Sequence, residues 1–206
     1  MKLLIFGASH SDSIGRSLGQ ALAIEHTIVY ASRSGVYGRV CNIAEPDDVA
    51  KILEEVHPEV IIHCAGIFPQ KLEALGAISD WAVVRGNIAA KVLGSIVLLD
   101  AAIKFGGVQK ILFMGGAQLS NEPGFSFFVP CNAGMAGAVL IAPVHLGSLQ
   151  VFYLEIPVVV DSYMLKQYRL LRPGSQAATE VTVTCIQQKV TAILSGVYPN
   201  GSSVIV

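Results

Sequence analysis

The stretch FGASHSDSIGRSLG, Phe6 to Gly19, decides how the rest of the chain is read. KLLIF, ending at Phe6, is a short apolar run closed by Gly7, and it reads as a strand buried on both faces. SIGRSLGQALA then spaces its apolar residues as a helix does. The small residues between would let backbone approach a pyrophosphate. The helix N-terminus would bring N–H groups and the positive dipole end to the same place. Glycines also make plain tight turns, so the loop alone leaves both readings open.

Outward from this unit, strands and helices alternate. HTIVYAS reads as a second strand, and EPDDVAKILEEV as a helix with proline and acids in its first turn, where they suit the dipole. EVIIHCAG reads as a strand. DWAVVRGNIAAKVLGSIVLLDAAIKFG is one long helix from near Asp80 to Gly106, and KILFMGG is a strand. FSFFVPCNAGMAGAV, Phe125 to Val139, supplies a helix, PVVVDS a strand, AATEVTVTCIQQKVTAILSG a helix and SSVIV a closing strand. Strands that are nearly all apolar, alternating with helices, predict a doubly wound parallel α/β sheet of Rossmann type. The 206 residues, 52% of them hydrophobic, suffice for one core, so a single domain over residues 1–206 is expected.

Charge is nearly balanced, 14 Lys and Arg against 15 Asp and Glu, and no basic stripe points to nucleic acid or a membrane surface. The uncharged span from Pro123 to Leu154 is broken by Pro130, Asn132, Pro143, His145 and Gln150, so it reads as a buried helix or a subunit interface, not a membrane span. No signal peptide is read at the N-terminus. Cys41, Cys64, Cys131 and Cys185 lie far apart, with no CxxC pair, and read as buried free thiols in a reducing, cytoplasmic setting. No His, Cys, Asp or Glu set has metal-ligand spacing, so no metal is expected.

Four features together resemble the short-chain dehydrogenase/reductase family, in an unusually short form, from Lys2 to about Val160. The loop places five residues between Gly7 and Ser13-Ile14-Gly15, a spacing similar to the enoyl-reductase branch. Arg33 follows strand two in YASRS, with no carboxylate there to grip a ribose 2′-hydroxyl, and an arginine suits a 2′-phosphate. HCAG, His63 to Gly66, stands where the family has Asn-Asn-Ala-Gly. Asn87 falls where the family keeps an asparagine in its fourth helix. The resemblance implies a sheet ordered 3-2-1-4-5-6-7 and a nucleotide site of Gly7, Ser9, Ser13, Ile14, Gly15, Arg33, Asn42, Ile43, Ala65, Gly66 and Asn87. NADPH would be its ligand, working or vestigial. It also implies a homodimer packed through the long helix and the helix of NAGMAGAVLIA. Asn42 replaces the aspartate that usually contacts adenine, and the Pro-Gly that usually follows strand six is missing, DSY standing there instead.

The family's reductases use Ser, Tyr and Lys, the last two one helical turn apart. In NAGMAGAV the lysine position falls on Asn132, the tyrosine position on Phe128 and the serine position on Gly115 of FMGGAQ. The enoyl-reductase spacing moves the tyrosine to Phe125. Placing Met135 at the lysine position moves it to Cys131. No register yields Tyr or Lys. Phenylalanine donates no proton and asparagine carries no charge, so carbonyl reduction by the usual route would lose the 10²–10⁴-fold that general acid catalysis is typically worth.

Three functions follow as expectations. The first is a redox-neutral enzyme folding a hydrophobic small molecule for cyclisation, isomerisation or elimination, since orientation alone lowers barriers by several kcal/mol. Asn132, Gln118 and Tyr163 would be its polar groups. Gly115, Gly116, Phe125, Phe128, Asp161 and His63 would line the pocket. Each also has a plain reading: Asn132 as a capping amide, Gln118, Asp161 and Tyr163 as loop residues, His63 as a packed, hydrogen-bonded ring. The second is an NADPH-dependent oxidoreductase with a displaced donor such as Tyr163. The third is a non-catalytic nucleotide-binding or partner subunit.

Overall fold

The computed structural model describes residues 1–66, 81–116, 131–137, 148–156, 158–159 and 180–206. Its sheet has seven strands: β1 (Lys2–Phe6), β2 (Thr27–Ser32), β3 (Arg39–Val40), β4 (Val60–His63), β5 (Lys110–Gly116), β6 (Gln150–Ile156) and β9 (Ser203–Ile205). They lie in the order β3-β2-β1-β4-β5-β6-β9, every pair parallel. In chain order this is the expected 3-2-1-4-5-6-7, and it is a Rossmann-type α/β sheet.

Successive side chains on a strand point to opposite faces, so the apolar strands feed two cores. On one face Leu4, Phe6, Ile61, Ile111, Phe113, Val151 and Tyr153 pack with Val49, Ile52 and Leu53 of α2 (Pro46–Val56) and with Leu98 and Met135. On the other, Leu3, Ile5, Ile62, Leu112, Phe152 and Leu154 pack with Leu18 of α1 (Ile14–Leu22) and with Ile186, Val190 and Ile193 of α6 (Val183–Leu194). Full burial of one such side chain is worth about 1.5–3 kcal/mol. Ser13 and Thr182 cap α1 and α6, each side-chain oxygen accepting a backbone N–H three residues on. Lys110 Nζ donates to Ile193 O and Leu194 O, at 3.0 and 2.9 Å, tying the end of α6 to β5.

The long helix has the expected extent but not a uniform geometry. It runs as α3 (Trp81–Asn87), a π-helical segment (Ile88–Leu93) and α4 (Gly94–Phe105), ending at Gly106 in the left-handed conformation. Residues 131–137 are also helical, labelled α5. Among the described residues no helix is long and apolar enough to cross a membrane.

Three expectations are corrected. Strand six is Gln150–Ile156, not PVVVDS. QVFYLEI carries the aromatic and β-branched residues that suit a pleated surface. Val158–Val159 (β7) pairs instead with Glu180–Val181 (β8) in a separate parallel ribbon. The C-terminal helix accordingly starts at Val183, later than the sequence suggested, because Glu180 and Val181 are strand. The four cysteines are free as expected, but Cys185 is exposed and Cys64 half-buried.

Gly7 joins β1 to the loop with φ of 96°. A Cβ there would lie 2.6–2.7 Å from the Cys64 and Ala65 backbone. Both the left-handed conformation and the close approach exclude a side chain. Gly7→Ala should destabilise the fold by at least about 1–3 kcal/mol, read as a lower urea midpoint with an unchanged slope.

Candidate active site at the carboxyl edge of the sheet

The strands' carboxyl ends gather the expected loop residues. The turn after Gly7 is closed by Ser13 N–H and Ser13 Oγ, both donating to His10 O, at 3.2 and 2.9 Å. Ser13 Oγ accepts from Arg16 N at 3.3 Å and so begins α1, with Gly15 buried against β1. Arg33 is exposed beyond β2. A second cation stands nearby that the sequence did not single out. The Arg16 guanidinium lies over the Tyr30 and Tyr37 rings, 4.6 and 5.0 Å from their centroids. Asn42 turns its amide oxygen to Ala44 N at 3.3 Å, so part of its hydrogen bonding serves its own turn. Ile43 is buried, with its side chain against Gly94. Ser9 is half-buried, and Ala65 and Gly66 leave β4 beside Gly7.

Four polar or charged residues are buried among the described residues: His63, Asn87, Lys91 and Ser95. They form one cluster. Asn87, Lys91 and Ser95 recur at four-residue spacing along the long helix, and His63 meets that helix from the end of β4. Asn87 Nδ2 donates to Val83 O at 3.1 Å. In the π register Gly94 N–H bonds Ala89 O in place of Ala90 O. The carbonyls that this shift affects have side-chain partners. His63 Nε2 donates to Ala90 O at 2.9 Å, and Ser95 Oγ donates to Lys91 O. His63 Nδ1 accepts from Ala65 N at 3.1 Å, which fixes the ring as the neutral Nε2–H tautomer. Burial and the nearby Lys91 charge push its pKa down to about 3. The ring is fully buried and braces the turn that carries Lys91.

Lys91 is only 8% exposed. A Cβ on Gly66 would sit 3.0 Å from Lys91 Cε, 3.7 Å from Nζ and 3.3 Å from Asn87 Oδ1. The amine therefore reaches the loop that closes β4. It interacts electrostatically with the Cys131 and Cys64 thiols, yet burial outweighs them and lowers its pKa to about 8. Burial raises both thiols, Cys64 to about 12, so they stay protonated near neutrality. Cys64 Sγ donates to Met114 Sδ at 3.3 Å. Among the described residues the one ion pair is Lys104 with Asp100, so no carboxylate there offsets Lys91.

Asn132, half-buried, follows Cys131 on α5, which packs on the π-helical segment: a Cβ on Gly134 would lie 3.1 Å from Val92 Cγ2. Gly115 and Gly116 end β5. At Gly115 the Tyr153 hydroxyl, from β6, occupies the space a Cβ would need. A serine cannot be accommodated there without moving that ring. Tyr153 is buried, and burial with the Glu155 carboxylate raises its pKa to about 12. Gln118, Phe125, Phe128, Asp161 and Tyr163 lie outside the described residues. Lys91 and Tyr153 were missed by sequence reasoning. Lys91 had a signal, a cation in the apolar run NIAAKVLGSIVLL, one turn from Asn87. Tyr153 had none, because its strand was assigned elsewhere.

No family model and no curated relative matches the sequence. Among solved structures the chain is similar to an NAD+-bound xylitol dehydrogenase, at TM-score 0.78 and 16% identity over 100% of this chain and 96% of that one. It is similar to a small-chain dehydrogenase in complex with NADPH, at TM-score 0.76 and 14% identity over 100% and 96%. It is also similar to the protein lin1944 from Listeria innocua, at TM-score 0.76 and 18% identity over 100% and 99%. The chain thus has the fold of the short-chain dehydrogenases.

Lys91 makes its own pH signature. Its folded pKa, about 8, lies below the ordinary 10.5. Stability is therefore highest above the unfolded value, falls as pH drops from 10.5 toward 8, and stays low below that. Lys91→Met should raise stability at pH 7 by up to about 2–3 kcal/mol. The gain should vanish above the unfolded lysine range, as followed by urea unfolding across pH.

Proposed function

We propose that the chain is a divergent short-chain dehydrogenase/reductase, one cytoplasmic domain over residues 1–206, whose catalysis is redox-neutral. It would shape a hydrophobic small molecule for cyclisation, isomerisation or elimination. The observation that carries this reading is the buried polar cluster built around Lys91. It puts one amine with a pKa of about 8 at the carboxyl edge of the sheet. In the register that the resemblance implies, the serine and lysine positions hold Gly115 and Asn132. An amine near its pKa takes a proton from an activated C–H and returns it elsewhere, which isomerisation and elimination require. The Asn132 amide and the Tyr153 hydroxyl are the hydrogen-bonding groups for an oxygen that gains charge. Gln118 and Tyr163 remain candidates for the same role, and Phe125, Phe128, Asp161 and Gly116 for the pocket wall.

NADPH fits the residues present. The first turn of α1 and the loop from Gly7 suit a pyrophosphate, and Arg16 and Arg33 are cations near the end of β2 for a 2′-phosphate. A bound nucleotide would supply hydride chemistry or serve only as a structural ligand. The retained loop is what favours the rival, an NADPH-dependent oxidoreductase. A non-catalytic partner subunit would leave the buried amine without use.

Arg33→Ala should weaken NADPH more than NADH in a calorimetric titration, and equal losses would remove the 2′-phosphate assignment. Wild type with NADPH and a panel of hydrophobic ketones and aldehydes should show no oxidation above the blank, whereas steady turnover would establish the oxidoreductase instead. We further propose a homodimer. Trp81, Ile88, Leu93, Ile96 and Ile103 are exposed apolar side chains on the long helix. Sedimentation at micromolar concentration should give a dimer, and a monomer would refute the assembly.

A further inference from the structure

We propose that Lys91 Nζ is a nucleophile that holds a small hydrophobic ketone or aldehyde as an imine beside Gly66, Cys64 and α5. This rests on the redox-neutral reading, and it names the substrate class of that site. The argument begins with what the cluster denies every other group. His63 has both ring nitrogens engaged, to Ala90 O and Ala65 N. The Cys64 and Cys131 thiols are held protonated by burial. Tyr153 is held protonated in the same way. Lys91 alone in the cluster exchanges its proton near neutrality, with roughly a tenth of the amine free at pH 7 if its pKa is about 8.

Position agrees with this. The amine ends 3.7 Å from where a Gly66 Cβ would be, so the missing side chain at Gly66 is what lets Lys91 pack against that loop. The turn that aims it departs from α geometry and is braced from two sides, by His63 on Ala90 O and by Ser95 on Lys91 O. Such bracing limits the freedom of a long side chain, which a solvated lysine would keep. Desolvation is also the route by which lysines become amine nucleophiles.

The step balances without a further reagent. Nζ first releases one proton, and the lone pair so freed forms the N–C bond to the carbonyl carbon as the C=O π pair moves to oxygen. The released proton and one of the two amine hydrogens pass to that oxygen, which leaves as water. A protonated imine remains, and hydrolysis reverses it. Its iminium carbon draws electrons from the adjacent C–H or C–C bond. That is the polarisation that isomerisation, elimination and cyclisation use, with no net oxidation.

The test uses benzaldehyde and cyclohexanone as probes. Purified protein is mixed with each at low molar excess, quenched with sodium borohydride, digested and analysed by mass spectrometry. The reduced adduct should form on Lys91 on the order of tenfold or more faster than on the exposed Lys51 and Lys104, because its amine is held in place and partly free at pH 7. Its rate should level off above pH 8. Lys91→Arg should remove the Lys91 adduct and leave the other two unchanged, with circular dichroism confirming the fold. Equal labelling of the three lysines would overturn the imine. So would a redox-neutral conversion that Lys91→Met abolishes without any Lys91 adduct, and that result would leave the redox-neutral reading standing. NADPH oxidation with either probe would instead overturn that reading.

Discussion

The hydrogen bond from His63 Nε2 to Ala90 O is the interaction on which the site depends. It joins the last residue of β4 to the turn of the long helix that departs from α geometry. Leaving Ala90 O without its donor in a buried place would cost about 1–3 kcal/mol. The same ring accepts from Ala65 N, so one neutral imidazole fixes both the loop after β4 and the helix beside it. Lys91 follows Ala90 directly. Its amine reaches Gly66 because these two backbone positions are locked relative to one another.

A buried lysine without a carboxylate partner is costly, and its surroundings show how that cost is contained. The amine gives up its charge more readily than it would in water, by desolvation alone. The neighbouring thiols supply soft, neutral contact without competing for the proton. The cluster is thus stabilised by the cores on both faces of the sheet and contributes little stability of its own. Strained or unfavourable groups tolerated in this way tend to coincide with function.

The fold was legible because its signal is repetitive. Each apolar strand followed by an amphipathic helix repeats the same period change, and the loop from Gly7 to Gly15 sets the start of the count. Strand six is hard to read because the uncharged span to Leu154 reads as a buried helix or a subunit interface, while the apolar PVVVDS offers a rival strand. The phosphate-loop residues were placed by resemblance, and the structure brings Gly7, Ser13 and Gly15 together as one turn. Asn42 was read as an adenine contact, and the structure also gives its amide oxygen an internal partner. Lys91 is hidden because the resemblance places the family's lysine along NAGMAGAV, whereas the neighbouring helix carries a cation where its own period demands an apolar residue.

Where the resemblance places the family's serine, Gly115 stands against a tyrosine from the next strand. The glycine is required because a tyrosine from the next strand fills the space beside it. A hydroxyl therefore stands against the end of β5 after all, on a different residue and with a pKa near 12. The amine likewise stands at the sheet's edge on the long helix instead of α5. Neither group keeps the one-turn spacing that makes a tyrosine and lysine pair act on the same oxygen, so the two are not a transplanted triad. Tyr153 is too weak an acid to protonate a ketone oxygen ahead of hydride arrival, yet it can hydrogen-bond an oxygen that already carries charge. Lys91 near pH 8 can both release and recover a proton. That division is what the proposed redox-neutral reaction would use, in which a proton or a carbon bond moves and the electron count of the substrate does not change.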